Sequence, residues 1–397
     1  MKTNANGWPV FDLADRHRRS FFVEKMSMKQ LSGWFLKVEA WETKHTLGYH
    51  VFTDSEHADW LYERLQNLRG GQPEASIEPG LLRAVSRNLD APSEEAFVRG
   101  LYLVIKRRLR GYLQETLDHA DGAANAFDVR MINRMLPEVD AEIDWARDYL
   151  DRRNTTETAA AWEAYIDALI AGAGGLSGTE GASEQATETQ PGVDFVVPKE
   201  IAFDERVGDR PIMPHEEKIK LDYDDAVLEQ FRVFFNEIYA ASILASIIHQ
   251  SFDQAVPWDM IRWFSRHFWD EVRHSQFGAV RLIELGSSPD RCDQTLYRNS
   301  QQMPFLHRIC YLTLVLEKHY MPRKKPRFEE YGNAGDKRSQ LFADHDWSDE
   351  MNHVRNGRDW LTRLLEGDAR DVSDVERETR EILERITGAP VESVSPF

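Results

Sequence analysis

Residues 270–285, DEVRHSQFGAVRLIEL, and residues 349–364, DEMNHVRNGRDWLTRL, are two copies of one helical pattern. Each opens with Asp-Glu-x-x-His: Asp270, Glu271 and His274 in the first, Asp349, Glu350 and His353 in the second. Each then places a glycine four residues after the histidine (Gly278, Gly357) and leucines further on (Leu282 and Leu285, Leu361 and Leu364). Positions i and i+3 share one helix face, so the Glu and His of a copy can reach the same metal ion. Upstream of each copy lies a lone glutamate in an apolar segment: Glu237 in FFNEIYAASILASII and Glu317 in CYLTLVLEKHY. A carboxylate in such company is costly to bury unless a charge or a metal pairs with it. The spacing is nearly equal, 34 residues from Glu237 to Glu271 and 33 from Glu317 to Glu350. At a rise of about 1.5 Å per residue that is one long helix and a short turn. The sequence therefore predicts four antiparallel helices that bring six ligands to one level, the arrangement by which helix bundles hold a carboxylate-bridged pair of iron or manganese ions.

The aspartate before each Glu fits the same picture. A metal-bound imidazole commonly gives its other N–H to a carboxylate, so Asp270 and Asp349 are expected just outside the ligands, each within reach of the histidine of the other copy.

This pattern resembles the ferritin-like di-metal carboxylate superfamily, whose motif is E…ExxH…E…ExxH. DEVRH is similar to the (D/E)ExRH motif of the ribonucleotide reductase small subunit, the bacterial multicomponent monooxygenases and the acyl-carrier-protein desaturases. The likeness covers residues 225–366, and DEMNH departs from it with Asn352 where arginine is usual. The resemblance implies Glu237, Glu271, His274, Glu317, Glu350 and His353 as metal ligands, with Asp270, Asp349 and Arg273 supporting them. It implies two iron ions, or an Fe/Mn or Mn/Mn pair, as cofactor, with dioxygen and a small organic molecule as substrates and an external electron donor. The expected activity is that of an oxidase or oxygenase. Iron handling, as a ferroxidase or peroxide-detoxifying protein, is the alternative, and a bundle that keeps its ligands without turnover is a third reading. Two ExxH units in 397 residues suit a storage cage poorly, and no paired CxxC provides an electron port.

Redox tyrosines are sought near the ligands. In ribonucleotide reductases the radical tyrosine lies one turn after the first ExxH histidine; here Gly278 holds that place. Tyr320, three residues after Glu317, is the candidate catalytic tyrosine, with Tyr239 beside Glu237 as another. Gly278, Gly357 and the small residues Ala240, Ala241, Ser242, Ala245 and Ser246 either leave space for dioxygen or permit tight helix contact. His267, four residues before Glu271, faces the same way and is read as a solvated or supporting group, with a third imidazole ligand as the other possibility; His249, His319 and His345 are weaker candidates.

Forty-nine basic and 67 acidic residues give a net charge of −18. That balance disfavours a nucleic-acid backbone as partner. Cys292 and Cys310 are the only cysteines, too few for a disulfide framework or a cysteine zinc site. The N-terminus has no apolar leader, and no run of about 18 apolar residues is apparent. The expectation is a cytoplasmic protein without a membrane span, for which a homodimer is allowed.

The fold class expected is all-α, with a ferritin-like four-helix bundle in the C-terminal half. Residues 1–170 read as an N-terminal helical domain, 171–192 as a flexible Gly/Ser/Thr/Glu-rich linker, 193–222 as an extended arm or two-stranded ribbon, 223–366 as the bundle and 367–397 as a C-terminal helix and tail. A capping box, Ser373-x-x-Glu376, is expected to start that last helix. The N-terminal domain reads as a degenerate copy of the bundle. Phe21-Phe22-Val23-Glu24 echoes Phe234-Phe235-Asn236-Glu237, Asp54-x-x-His57 echoes Glu271-x-x-His274, and Glu142-x-x-Trp145 replaces the second histidine by tryptophan. Its third segment carries Lys106, Arg107 and Arg108 in place of a glutamate, which argues against a metal there. Glu42-x-x-His45 with His50 and His57 is a secondary candidate, read as solvated or capping histidines on an interaction domain.

Overall fold

A computed structural model of the chain describes residues 7–180, 192–254 and 256–388. The regular structure is all-helical: among the described residues there is no strand, and the arm expected to offer a ribbon makes one isolated bridge, Gly208 to Arg291. The chain divides into two compact units. The N-terminal unit comprises residues up to Trp34 and His50–Val196, the C-terminal unit Phe35–Tyr49 and everything from Val197 onward.

Helices α1 (Val10–Phe35), α2 (Trp41–Gln66), α3 (Pro79–Arg87), α4 (Glu94–Val98), α5 (Arg107–Asp118), α6 (Ala126–Asp151) and α7 (Glu157–Gly172) precede the arm. Between α4 and α5 the chain widens into a π-helical stretch, Arg99–Lys106. Ser93 and Thr156 cap α4 and α7 by accepting a backbone N–H three residues on, which satisfies a donor with no partner inside the helix. The first part of the expected linker is folded: after α7 the chain turns at Gly174 and Gly175, both at positive φ, and Leu176 is buried. Residues 181–191 of that linker lie outside the described residues.

The C-terminal unit holds α8 (His215–Lys218), α9 (Tyr223–Asn236), α10 (Ile238–Ser251), α11 (Trp258–Glu284), α12 (Thr295–Ser300), α13 (Phe305–Cys310), α14 (Lys318–Asn333), α15 (Lys337–Leu364) and α16 (Val372–Thr387). A second π-helical stretch, Tyr311–Glu317, joins α13 to α14. Helix α11 packs on α9, α10 and α15, and α15 packs on α14 and on the π stretch. Residues 35–49, expected in the N-terminal domain, belong here instead. Phe35 meets Phe268 edge-on, Trp41 does the same with Phe235, and His45 is hydrogen-bonded to Ser275.

Two local expectations are corrected. Helix α16 starts two residues earlier than Ser373-x-x-Glu376 implied. Asp371 is its N-cap and forms a reciprocal capping box with Asp374, because Asp371 is the residue whose extended backbone frees its carboxylate to accept the Asp374 N–H. One helical segment, Tyr223–Ser251, is long and apolar enough to span a membrane; 89 % of its apolar window is buried, as in a core helix. No such run was apparent in the sequence because Asn236 and Glu237 interrupt the apolar residues where α9 passes into α10.

Candidate metal centre

Glu237 joins α9 to α10, Glu271 and His274 lie on α11, Glu317 ends the π stretch, and Glu350 and His353 lie on α15. All six converge in the interior of the C-terminal unit. His274 Nδ1 is 3.2 Å from Glu237 Oε2 and 3.7 Å from Glu271 Oε1, and His353 Nδ1 is 3.3 Å from Glu271 Oε1. Potential ligand atoms cluster within 4.8 Å of one another in three overlapping groups: His267, Glu271, Glu317 and His353; Glu237, His274 and Asp346; Glu271, His274 and Glu350. Glu271 belongs to two of them and stands between.

The aspartates sit as the repeat implies, crossed over. Asp349 lies 3.3 Å from His274 Nε2, and Asp270 lies 3.3 Å from His353 Nε2. Arg273 ties the two together, 2.6 Å from Asp270 Oδ1 and 3.3 Å from Asp349 Oδ2. Burial would raise the Asp270 carboxyl, but His353 and Arg266 outweigh it and hold it down to about 2. Each imidazole thus spends Nε2 on an aspartate and turns Nδ1 inward, which fixes ring orientation before any ligand arrives.

Two members of the cluster were not identified as ligands from the sequence. His267 is fully buried rather than solvated, with Nε2 2.7 Å from Glu317 and its ring stacked on His353 at 3.6 Å between centroids. Asp346 lies 3.7 Å from His274 Nδ1. The signal was one of register: His267 stands four residues before Glu271, and Asp346 four before Glu350, so both copies read x-Glu-x-x-His with a further potential ligand one turn earlier. His249 is buried on α10 outside these groups, while His319 and His345 are exposed. A further group, Lys324 on α14, had no sequence signal at all. It is buried and donates to Asp346 Oδ1 at 2.6 Å and Glu350 Oε1 at 3.1 Å.

The site fits divalent cations by two observations. Eight buried atoms make no well-formed hydrogen bond: Glu237 Oε2, His267 Nδ1, Glu271 Oε1, His274 Nδ1, Glu317 Oε2, Asp346 Oδ2, Glu350 Oε2 and His353 Nδ1; four of them meet only as ion pairs, His274 with Glu237 and His353 with Glu271. Buried polar atoms are almost always paired, so such a concentration marks a place where something else binds. Charge agrees: the five carboxylates Glu237, Glu271, Glu317, Asp346 and Glu350 face one ammonium, Lys324, which leaves four negative charges, the charge that two dications neutralise. Without such ions protons take their place. Burial disfavours charge on His353, yet Asp270 and Glu271 raise it to about 10; burial and the neighbouring carboxylates push Glu350 up to about 8 against the pull of Lys324.

The glycines after the histidines serve packing. A Cβ on Gly278 would stand 2.0 Å from the Phe235 backbone nitrogen, and one on Gly357 would stand 2.4 Å from Thr313 Cβ. They bring helices together and open no space. Of the small residues after Glu237, Ala240 reaches the cavity beside the cluster; Ser242 and Ser246 bond back to their own helix. That cavity is also lined by Tyr239 and Tyr320, so the candidate tyrosine faces the cluster's approach.

The N-terminal unit repeats the geometry with a different occupant. Lys106 is the last residue of its π stretch, as Glu317 is of the other, and both point into a cluster. The Lys106 ammonium is fully buried, 2.8 Å from Glu24 Oε2 and 3.0 Å from Glu142 Oε2, and also paired with Asp54. His57 bridges Glu24 at 3.1 Å and Glu138 at 2.8 Å. The register extends here too: His50 is four residues before Asp54, and Glu138 four before Glu142. His50 bonds Tyr102 at 2.7 Å and packs its ring on Trp145. Glu24, Asp54 and His57 offer a cluster of potential ligand atoms, but the Lys106 ammonium already stands between Glu24, Asp54 and Glu142 as a buried counter-charge. The secondary grouping of Glu42, His45, His50 and His57 does not assemble, since Glu42 pairs with Arg206 and each histidine has a separate partner.

No protein-family model, no curated protein and no solved structure matches this chain. The functional reading rests on the cluster itself.

Proposed function

We propose that the C-terminal unit is a ferritin-like bundle holding a dinuclear iron or manganese centre, and that the protein is an oxidase or oxygenase acting on a small organic molecule. The observation that carries this reading is the convergence of eight buried ligand atoms that make no well-formed hydrogen bond on five carboxylates whose one lysine partner is Lys324. His267, His353, Glu271 and Glu317 would hold one ion; Glu237, His274 and Asp346 the other, with Glu350 and the shared Glu271 between them. The chemistry such a pair supplies when bound is two-electron reduction of dioxygen.

The chain's own groups have distinct tasks in this reading. Asp270 and Asp349 orient the two imidazoles, and Arg273 holds the aspartates against each other. Lys324 fixes Asp346 and Glu350 by charge-assisted hydrogen bonds, which are stronger than neutral ones. Val233, Ala240 and Leu312 form an apolar wall of the cavity and keep bulk water from the ligands. Tyr239 and Tyr320 face that cavity with hydroxyls whose deprotonation is hindered for Tyr239 by burial and by Tyr320, Glu237 and Glu271.

Metal analysis of protein purified aerobically, followed by anaerobic ferrous titration, tests the reading. Uptake is expected to saturate at about two ions per chain. On mixing with oxygen, consumption should stop at one dioxygen per pair until a reductant is supplied. Uptake of many irons per chain with mineral formation would replace this reading by iron storage. Disproportionation of peroxide without reductant would replace it by a catalase, and a metal-free protein that takes up neither iron nor manganese would end it.

A further inference from the structure

The cavity beside the cluster opens into a second, outer chamber, and four residues line both: His215, Lys218, Arg323 and Arg327. They form a neck between the inner space and the solvent side. Lys218, from the arm, is only 6 % exposed, and its one polar contact is a long 3.4 Å hydrogen bond to Gln230. Among the described residues no carboxylate pairs with Lys218 or with Arg327, whose guanidinium lies 5.7 Å from the Phe234 ring centre. The buried Lys106 and Lys324 are each ringed by carboxylates instead. Burial, and then Arg327 and Arg323, lower the Lys218 ammonium to about 7 against the weaker opposing pull of Glu229 and Glu216. His215 is depressed by burial and by Arg323 and Lys218. Lys218, which is buried, and Arg323 and Arg327, which are half-buried, therefore meet at one neck in a chain whose net charge is −18.

A buried cation without a counter-ion is costly, and its usual compensation is an opposite charge brought by a ligand. Guanidinium groups bind carboxylate and phosphate oxygens with matched, paired hydrogen bonds. Inside the neck the walls turn apolar, with Val233, Tyr239, Ala240 and Leu312 leading to Glu237, Glu271, Glu317 and Glu350. The inner space is narrow, about 40 Å³, and the outer chamber holds about 230 Å³, so a small acid seated at the neck reaches the inner wall with a slender apolar end.

We propose that Lys218, Arg323 and Arg327 form a head-group site for an organic carboxylic acid, whose apolar body lies between Val233, Ala240, Leu312 and Tyr239 and points toward the carboxylate–histidine cluster. As a substrate assignment this rests on the dinuclear reading above; as a binding site it does not. The acid binds the metal-free protein, since its anchors are side chains and not ions.

Calorimetric titration of the full-length protein tests this, first metal-free and then loaded with Mn(II), at fixed ionic strength. The probes are hexanoate, phenylacetate and hexyl phosphate, with hexanamide and phenylacetamide as uncharged counterparts. Both carboxylates should bind the metal-free protein at least about tenfold more tightly than their amides, the margin of a buried charge-assisted contact. Lys218→Met combined with Arg327→Met should erase that margin, while Arg327→Lys should keep part of it. Equal binding of acids and amides, absence of acid binding at millimolar concentration, or an unchanged margin in the folded double variant would overturn the proposal. Tighter binding of hexyl phosphate than of hexanoate would overturn the carboxylate in favour of a phosphate ester. Should the double variant not fold, the acid–amide comparison in the native protein and Arg327→Gln alone decide. Anion selectivity without metal uptake refutes the dinuclear centre and leaves the neck; metal uptake without selectivity refutes the neck alone.

Discussion

Replacing Lys106 by methionine keeps most of the side-chain volume and removes one charge from the centre of the N-terminal unit. In the native protein the ammonium contacts three carboxylates that are themselves 0–2 % exposed: Glu24, Asp54 and Glu142. Burial opposes its charge, but Asp54, Glu142 and Glu24 together raise it well above the ordinary lysine value. Burial also opposes charge on Glu24, yet Lys106 and His57 hold it down to about 2. Without the ammonium these carboxylates repel one another in a medium that screens poorly. Breaking a buried pair by removing one partner costs about 3–5 kcal/mol. At about 2–4 °C per kcal/mol for a unit of this size, the transition of the N-terminal unit should fall by roughly 6–20 °C.

The pH dependence gives the prediction a second handle. Stranded carboxylates have folded-state values above their unfolded ones, so protonation stabilises the variant as pH falls toward the ordinary carboxylate range. The gap between native and Lys106→Met protein should therefore narrow from pH 8 to pH 5. Excess Mn(II) should recover part of the loss at pH 8, because Glu24, Asp54 and His57 already place potential ligand atoms within 4.8 Å of each other. Differential scanning calorimetry with and without a chelator reads all three effects. A fall of less than about 2 °C at pH 8, below the effect of about 1 kcal/mol, would refute the view that this ammonium stands in for a metal.

Glu271→Ala or His353→Ala should remove most metal from the purified protein, whereas His57→Ala should leave the metal content unchanged; plasma mass spectrometry decides. Gly278→Ala, whose Cβ would lie 2.0 Å from the Phe235 nitrogen, should destabilise the C-terminal unit by at least about 1–3 kcal/mol, measured by denaturant unfolding. Burial opposes charge on His57, but Glu138 and Glu24 raise it to about 9. Its folded value exceeds the unfolded one of about 6.5, so its contribution is complete below pH 6.5 and is lost as pH rises through 9; native protein and His57→Gln should differ by up to about 3 kcal/mol at pH 6 and converge by pH 10.

The helices and the convergence of the six candidate residues were legible in the chain because both follow from periodicity. The doubled Asp-Glu-x-x-His and the equal spacing to Glu237 and Glu317 depend on three-residue and helix-length intervals, which an α-helix converts directly into position. The same periodicity marked Glu24, Asp54 and Glu142 as relics, and Lys106 as the reason to expect no metal. It even held the position of His267 and Asp346, one turn before each Glu, although their burial was not readable. A side chain four residues upstream faces its neighbour whether the helix face meets protein or water, and only packing decides which.

Tertiary structure alone supplied the rest. Lys324 enters the cluster from α14, seven residues beyond Glu317, through a helix that sequence reading treated as a carrier of one ligand. Lys218 comes from an arm with no periodicity, and its meaning depends on no carboxylate among the described residues pairing with it, which no spacing along the chain expresses. Glycines at Gly278 and Gly357 were compatible with a cavity or with contact until the distance to Phe235 and Thr313 was known. Local sequence sets which face a residue occupies. What lies opposite that face, and whether charge there is answered or left waiting, is set by segments far away in the chain.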